Sequence, residues 1–208
     1  MSTSPTAKTP RARAAKSRDE YAQATREALV EAGLELFAAR GYAEVGTEEI
    51  VKRARVTRGA LYHHFDDKRD LFRAVHERVE EDLVARIAAK MGDVTDPWEV
   101  IVTGTRAFLD TCTEPAVKQI GLTDAPAVLG WTEWRATDER YGLGLMKAAL
   151  GGAIEAGVLR AAPLDALSHL MLGALSEAAF MIANAADPAQ AREDAEASLL
   201  EILEGLRG

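Results

Sequence analysis

Apolar residues recur three and four positions apart along most of the chain, and each such run predicts an amphipathic helix. Ala28, Leu29, Ala32, Leu36 and Phe37 form the first stripe, on a helix expected to begin at Ser17 or Asp19 and to end at Arg40-Gly41. Leu71, Val75, Val79, Leu83 and Ile87 return every fourth residue over a helix from Asp67 to Lys90. Asp67 is its natural cap, with Asp70 placed as a weak form of the capping-box acid. A third helix starts at Asp96-Pro97, carries Trp98, Ile101, Phe108, Leu109 and Cys112, and stops at Thr113-Glu114-Pro115. A short helix or irregular segment follows through Ile120, and Thr123 to Pro126 breaks the chain again. A long helix is then expected from Ala127 to Gly157, and two more from about Pro163 to Asn184 and from Pro188 to Leu206. No strand-like alternation of useful length and no internal repeat is visible. The expected fold is therefore all-α, with about nine helices.

The densest local signal is Thr47 to Lys68, TEEIVKRARVTRGALYHHFDDK. Thr47 reads as a cap, with Glu48 and Glu49 in the first turn where a helix dipole favours carboxylates. Ile50, Val51 and Ala54 face inward. The chain turns through Arg55 and Val56 to a second cap, Thr57, and a short helix runs into Phe65. A helix of about two turns is marginal alone, so Ala60 or Leu61 and Phe65 must anchor it. Arg58, Gly59, Tyr62 and His63 are left facing outward. Gly59 lacks a Cβ, so the helix start can approach a phosphate, and the first amides there point at an anion. Arg26, on the polar face of the first helix, is either a further phosphate contact or a solvated cation.

Composition is that of a globular protein, and 208 residues are ample to bury a core. The net charge of -8 argues against nucleic acid until it is divided along the chain. Residues 1–91 hold 17 Lys and Arg against 15 Asp and Glu, a sum of +2, and residues 92–208 hold 8 against 18, a sum of -10. Within residues 1–18, Lys8, Arg11, Arg13, Lys16 and Arg18 meet no acid. This stretch is expected to be a disordered basic arm, serving the minor groove or merely solvated. Phosphate contacts are local, so an acidic remainder is compatible with a basic head. The polar start and the lack of an apolar run of about 18 residues suggest a cytoplasmic protein with no membrane partner. The single cysteine, Cys112, excludes an internal disulfide and a cysteine-rich zinc site.

The run GALYHHFDDK closely resembles the TetR family of transcriptional regulators. The likeness extends from Arg26 through Ala38, Gly41-Tyr42, Thr47, Ile50, Ala54, Val56-Thr57, Gly59 to Tyr62, His64-Phe65, Lys68, Leu71-Phe72 and Ala74-Val75. DAPAVLGWTEWR, RYGLGL, AIEAGVLR and HLMLGALSEAAF resemble a recurrent C-terminal domain of such regulators. The resemblance implies a three-helix helix-turn-helix domain over residues 19–66 and a helical ligand-binding and dimerisation domain over residues 67–208. It implies a homodimer on double-stranded operator DNA, most simply a repressor that a small-molecule effector releases from a palindrome. Base-edge contacts are then expected from Arg58, Ala60 and His63. Phosphate or sugar contacts are expected from Thr47, Thr57, Gly59, Tyr62, His64 and Lys68, with Lys68 a phosphate clamp. One departure is Arg55, which stands where the family usually has glycine. A left-handed backbone there costs about 1 kcal/mol, and a slight rearrangement of the turn is the expected response.

The body must supply a dimer interface and a pocket. Leu167, Leu170, Met171, Ala174, Leu175, Ala178 and Met181 form a wide apolar face, and Leu199, Ile202, Leu203 and Leu206 a second one. Two such helices from each subunit would make an isologous four-helix bundle; alternatively the monomer core consumes both stripes. Pocket candidates are Phe108, Trp131, Trp134, Tyr141, Met146, Met171 and Phe180, with Cys112, Arg135 and His169 as polar members. Taken singly, each reads more readily as ordinary core packing than as a ligand contact.

Two other classes of function compete with a regulator. An enzyme or metal protein would use His63, His64 and the acids after them, but adjacent helical residues diverge by about 100° and cannot easily share one metal. The chain has no GxSxG, Walker, HExxH or dinucleotide motif, so no catalytic residues, metal or cofactor are expected. A protein-binding helical module would instead dock an acidic partner on the basic head, and a salt titration of DNA binding separates it from a regulator.

Overall fold

The computed structural model describes the backbone from Pro10 and the side chains from Asp19, both to Gly208. Most of the basic arm expected over residues 1–18 lies outside the described residues. Nine α-helices and no strand are present among the described residues: α1 Pro10–Arg40, α2 Thr47–Arg53, α3 Arg58–His64, α4 Lys68–Gly92, α5 Pro97–Thr111, α6 Ala125–Leu129, α7 Trp131–Glu155, α8 Leu164–Asn184 and α9 Pro188–Glu204. The all-α expectation holds. The helical backbone starts at Pro10, ahead of Ser17 or Asp19.

Caps set several of the boundaries. Asp67 accepts from the Asp70 amide at 2.7 Å, and Asp70 accepts from the Asp66 amide at 3.2 Å, which fixes the start of α4. Asp96 accepts from the Trp98 and Glu99 amides, both at 3.0 Å, ahead of Pro97. Thr47 is the first helical residue of α2 and Gly46 the cap, a correction to the expected role of Thr47. Glycine has no capping side chain, and Glu49 reaches back to the Gly46 amide at 3.4 Å instead.

The long helix expected from Ala127 is divided. Gly130 has φ 83°, a left-handed backbone that stops α6 and starts α7 at Trp131. Before it, Val117–Asp124 is a π-helix, a form that occurs mostly as a single bulging turn. The Trp134 indole donates to the Gly121 carbonyl at 3.0 Å and ties this π turn to α7.

The core is not split at residue 66. Leu29, Phe37, Ile50, Leu61 and Phe65 of residues 19–66 are continuous with Leu71, Phe72 and Val75 of α4 and with Val117, Ile120, Ala125, Leu129 and Trp134 beyond it. A second cluster joins α5, α7, α8 and α9 around Leu109, Cys112, Leu150, Ile182 and Leu203. The α4 stripe from Leu71 to Ile87 is buried as its spacing predicts, so α4 passes from the first core towards the second.

Candidate nucleic-acid interface and central cavity

α3 is too short to stand alone, and the structure supplies its support. Leu61 is fully buried and Phe65 nearly so, and Thr57 Oγ1 accepts from the Ala60 amide at 3.2 Å. α2 is held to α1 by Arg40 on Glu49 at 2.6 Å and by Arg53 on Glu35 at 2.5 Å. Between α2 and α3, Arg55 has φ 58°, and the Val56 amide reaches the Val51 carbonyl at 3.0 Å. The turn keeps its left-handed residue and carries the strain, where a rearrangement was expected.

Thr57, Arg58, Gly59, Tyr62 and His63 are exposed on the outer face, with Thr47, Ala60 and His64 partly exposed beside them. Arg58 donates to Glu48 at 2.9 Å and lies over the Tyr62 ring at 5.6 Å. Its guanidinium therefore has a partner to give up before it reaches anything else. Arg26 sits over the Phe65 ring at 5.4 Å, beside this face. The rings of His63 and His64 meet edge to face at 5.2 Å. Burial, and then the positive fields of His63 and Arg26, hold the His64 pKa below its ordinary value.

Lys68 is placed differently from the expected phosphate clamp. Its ammonium donates to the Tyr42 carbonyl and lies 4.0 Å from the centre of the Tyr42 ring. Burial lowers its pKa against the pull of Asp124 and Glu44. The physical reason is that the α1–α2 loop crosses the start of α4 there, and an open carbonyl and an aromatic face capture the cation first. The Tyr42 amide, in turn, donates to Asp124 Oδ2 at 2.7 Å, so the π turn grips the same residue.

A second joint lies beside it. Arg69 donates to the Val128 carbonyl at 3.1 Å, the Leu129 carbonyl at 3.0 Å and Glu133 at 2.8 Å, and Arg73 donates to the other oxygen of Glu133. Burial raises the Glu133 pKa, but the bonds from Arg73 and Arg69 outweigh it and hold the carboxyl below its ordinary range. Tyr42, Asp124 and Glu133 were not singled out from the sequence, because no local spacing links residues so far apart.

A cavity of about 80 Å³ lies between α4, α5, α7 and α8. Of the ten pocket candidates only Phe108 and Met146 line it. Cys112 and Met171 are packed in the second core, where burial pushes the Cys112 thiol up to about 12. Trp131, Trp134 and Phe180 stack on one another away from the cavity. Tyr141 lies beneath the Arg140 guanidinium, and His169 is exposed with Nδ1 2.8 Å from the Asp165 carbonyl. Arg135 reaches the cavity only through Asp138, to which it donates at 2.7 Å. Aromatic rings filled gaps in the core, and the space remains where side chains are small or aliphatic.

The polar lining is Glu80, Thr105 and Asp138. A signal for it exists in the sequence. Glu80, Leu83, Val84, Ile87 and Met91 share one helical face, as do Ile101, Gly104, Thr105 and Phe108, and Asp138, Gly142, Leu145, Met146 and Ala149. Burial, and then the charge of Glu80, raise the Asp138 pKa from 3.8 to about 6, opposed by Arg135 and Ser176.

Comparisons with known proteins agree at both ends of the chain. Residues 29–75 match the model of the bacterial regulatory proteins of the tetR family, and residues 98–206 match that of the tetracyclin repressor-like C-terminal domain. A crystal structure of a TetR-family transcriptional regulator from Pectobacterium atrosepticum superposes with a TM-score of 0.83 at 34% identity, covering 90% of this chain and 96% of that one. The transposon Tn10 TetC protein of Escherichia coli is 29% identical over 154 residues, 74% of this chain and 78% of that protein. The transcriptional regulator TtgR of Pseudomonas putida is 40% identical over 80 residues, 38% of each chain.

Proposed function

The chain belongs to the TetR family of bacterial regulatory proteins and is a DNA-binding transcriptional regulator, and from that premise we propose that it is a homodimeric repressor, released from a palindromic operator when a small molecule fills the cavity. The observation that carries this reading is the course of α4. Its first turn is bonded to the head through Lys68 and Tyr42, and Glu80 to Met91 of the same helix wall the cavity. Any guest that displaces α4 must tilt the head. A guest shifts that equilibrium only by its differential affinity for the two arrangements.

In this reading residues 19–66 are the reading head and residues 67–208 the effector and dimer body. Arg58, Ala60 and His63 read base edges, and Thr47, Thr57, Gly59, Tyr62 and His64 meet phosphate or sugar, with Arg26 flanking. Lys68 is assigned to the joint between head and body, since its ammonium is already engaged there.

The dimer face is narrower than the apolar stripes suggest. Met171, Leu175, Ala178, Leu199 and Leu203 are spent on the subunit's own core. Leu170, Met181 and Ile202 remain exposed, with Leu167, Ala174 and Leu206 half-buried. α8 is apolar enough on length and composition alone to cross a bilayer, yet only one side of it is covered here. A twofold partner on the outer faces of α8 and α9 would cover the exposed Leu170, Met181 and Ile202.

Selection of bound sites from random duplex DNA, followed by binding at two salt concentrations, tests the reading. A palindrome whose affinity falls steeply with salt is the expected result. Arg58→Ala should lose preference at particular base pairs while changing affinity for random duplex little. Failure to enrich any site with a confirmed dimer in the tube would sink it.

A further inference from the structure

The cavity wall is apolar except for groups whose hydrogen-bonding capacity is unspent. Among the described residues Glu80 accepts no hydrogen bond; its nearest cation candidate, His76 Nε2, stands 3.5 Å away, beyond hydrogen-bond range. Both Arg135 and Ser176 donate to Asp138 Oδ2, at 2.7 and 3.1 Å, which leaves Oδ1 unpartnered on the side of Gly142. Thr105, 6% exposed, lines the same space, and its hydroxyl makes no hydrogen bond among the described residues. No Lys, Arg or His lines the cavity. These oxygens are free to accept from a guest that brings donors.

Charge narrows the guest further. Arg135 offsets one of the two carboxylates from behind, and the wall keeps a negative excess. The charge of Glu80 raises the cost of ionising Asp138, which a cation between them would offset. An anionic guest would add a third negative charge to a space with side-chain exposures of 13% at Glu80 and 15% at Asp138. Size sets the last limit. The cavity is about 80 Å³, against an engineered cavity of about 150 Å³ that holds benzene. At about half that volume the cavity takes a single ring with a short arm only if the flexible Met91 and Met146 side chains in the wall move aside.

We propose that the cavity binds a small apolar amine in its cationic form, with the ammonium donating to Glu80 and Asp138 and the hydroxyl of Thr105 beside them. This rests on the reading of the cavity as the effector site. Benzylamine, benzyl alcohol and benzoate share a ring and a one-carbon arm and differ in charge, which makes them suitable probes. Calorimetric titration of the full chain at neutral pH should rank them amine, alcohol, benzoate, with the amine ahead of benzoate by at least about tenfold, the lower range for a close charge pair. Glu80→Gln should bring the amine and the alcohol to within about threefold of each other. Asp138→Asn carries the same test if Glu80→Gln does not fold.

Benzoate binding as tightly as benzylamine, an amine preference unchanged in both variants, or no binding of any probe at millimolar concentration would each overturn the proposal. The operator-binding arm separates it from the broader reading. If benzylamine binds with the carboxylate dependence described but operator affinity is unmoved, the site stands and release by cavity filling falls. If benzoate alone binds and weakens operator affinity, release stands and the amine site falls.

Discussion

Arg58 in the head and Arg135 beside the cavity each hold a carboxylate, at 2.9 and 2.7 Å, and the two pairs behave differently because of what surrounds them. The side chains of Arg58 and Glu48 are 63% and 69% exposed, so water and salt compete at every moment and the pair is easily exchanged for another partner. Those of Arg135 and Asp138 are 22% and 15% exposed, and there a change of partner is felt as a change of protonation. A reading surface needs contacts that can be traded, and a sensing cavity needs contacts whose loss is expensive. Under the proposed function, the tradable pair lies on the reading surface and the costly one beside the cavity.

The largest expected effect tests whether these regions are separate bodies at all. Phe65→Ala removes the anchor that ends α3 and should cost about 3–5 kcal/mol. Because the head core is continuous with Ile120, Leu129 and Trp134, denaturant unfolding should stay a single transition moved to lower midpoint. Two resolved transitions would show a head that melts alone.

The next effect belongs to the cavity. The folded-state pKa of Asp138 lies above its ordinary value, at about 6 against 3.8, so the native state holds its proton more tightly than the unfolded chain. This group's contribution to stability is full below about pH 4 and is lost as pH rises to about 6, a change of up to about 3 kcal/mol for two units of pKa. Asp138→Asn should flatten that slope and make the protein more stable than the parent at pH 7, as read by denaturation at pH 4.5 and 7. A variant less stable at pH 7 would mean that the Arg135 bond outweighs the cost of burial.

Smaller effects return to the head. Arg55→Gly should gain about 1 kcal/mol by relieving the left-handed backbone at φ 58°, less the entropy that glycine adds to the unfolded chain. An unchanged midpoint would show that the turn carries no net strain. Smallest of all, Glu48→Gln should leave thermal stability alone and tighten specific DNA binding modestly, since it frees Arg58 and removes a negative charge beside phosphates. Weaker binding by this variant would mean that Glu48 aims Arg58 rather than restraining it.

The same contrast explains what was legible in the sequence. The head's inward anchors Leu61 and Phe65, its cap Thr57 and its outward Arg58, Tyr62 and His63 lie within one short stretch, where helical spacing alone sorts faces. The cavity gathers residues from Glu80 to Leu175 across four helices, and no spacing reports which stripe faces a void. Large aromatics drew attention to Trp131, Trp134 and Phe180, but such rings pack against each other and close space. Gly142, Thr105 and Asp138 leave it open. The bond from Lys68 was not legible for a third reason: its partner, the Tyr42 carbonyl, lies 26 residues away.

Residue 42 is held from two directions, its amide by Asp124 and its carbonyl by Lys68. Both handles are main-chain groups, which nearly every amino acid supplies alike. These two bonds need only the main chain at residue 42, while the Tyr42 ring adds a face over the Lys68 ammonium that a non-aromatic residue would lack. Proline there would lose the bond to Asp124, for want of an amide hydrogen, and keep the carbonyl for Lys68. Under the proposed release mechanism, a head of different base preference grafted with residues 42 and 68 in register would keep the same two attachments.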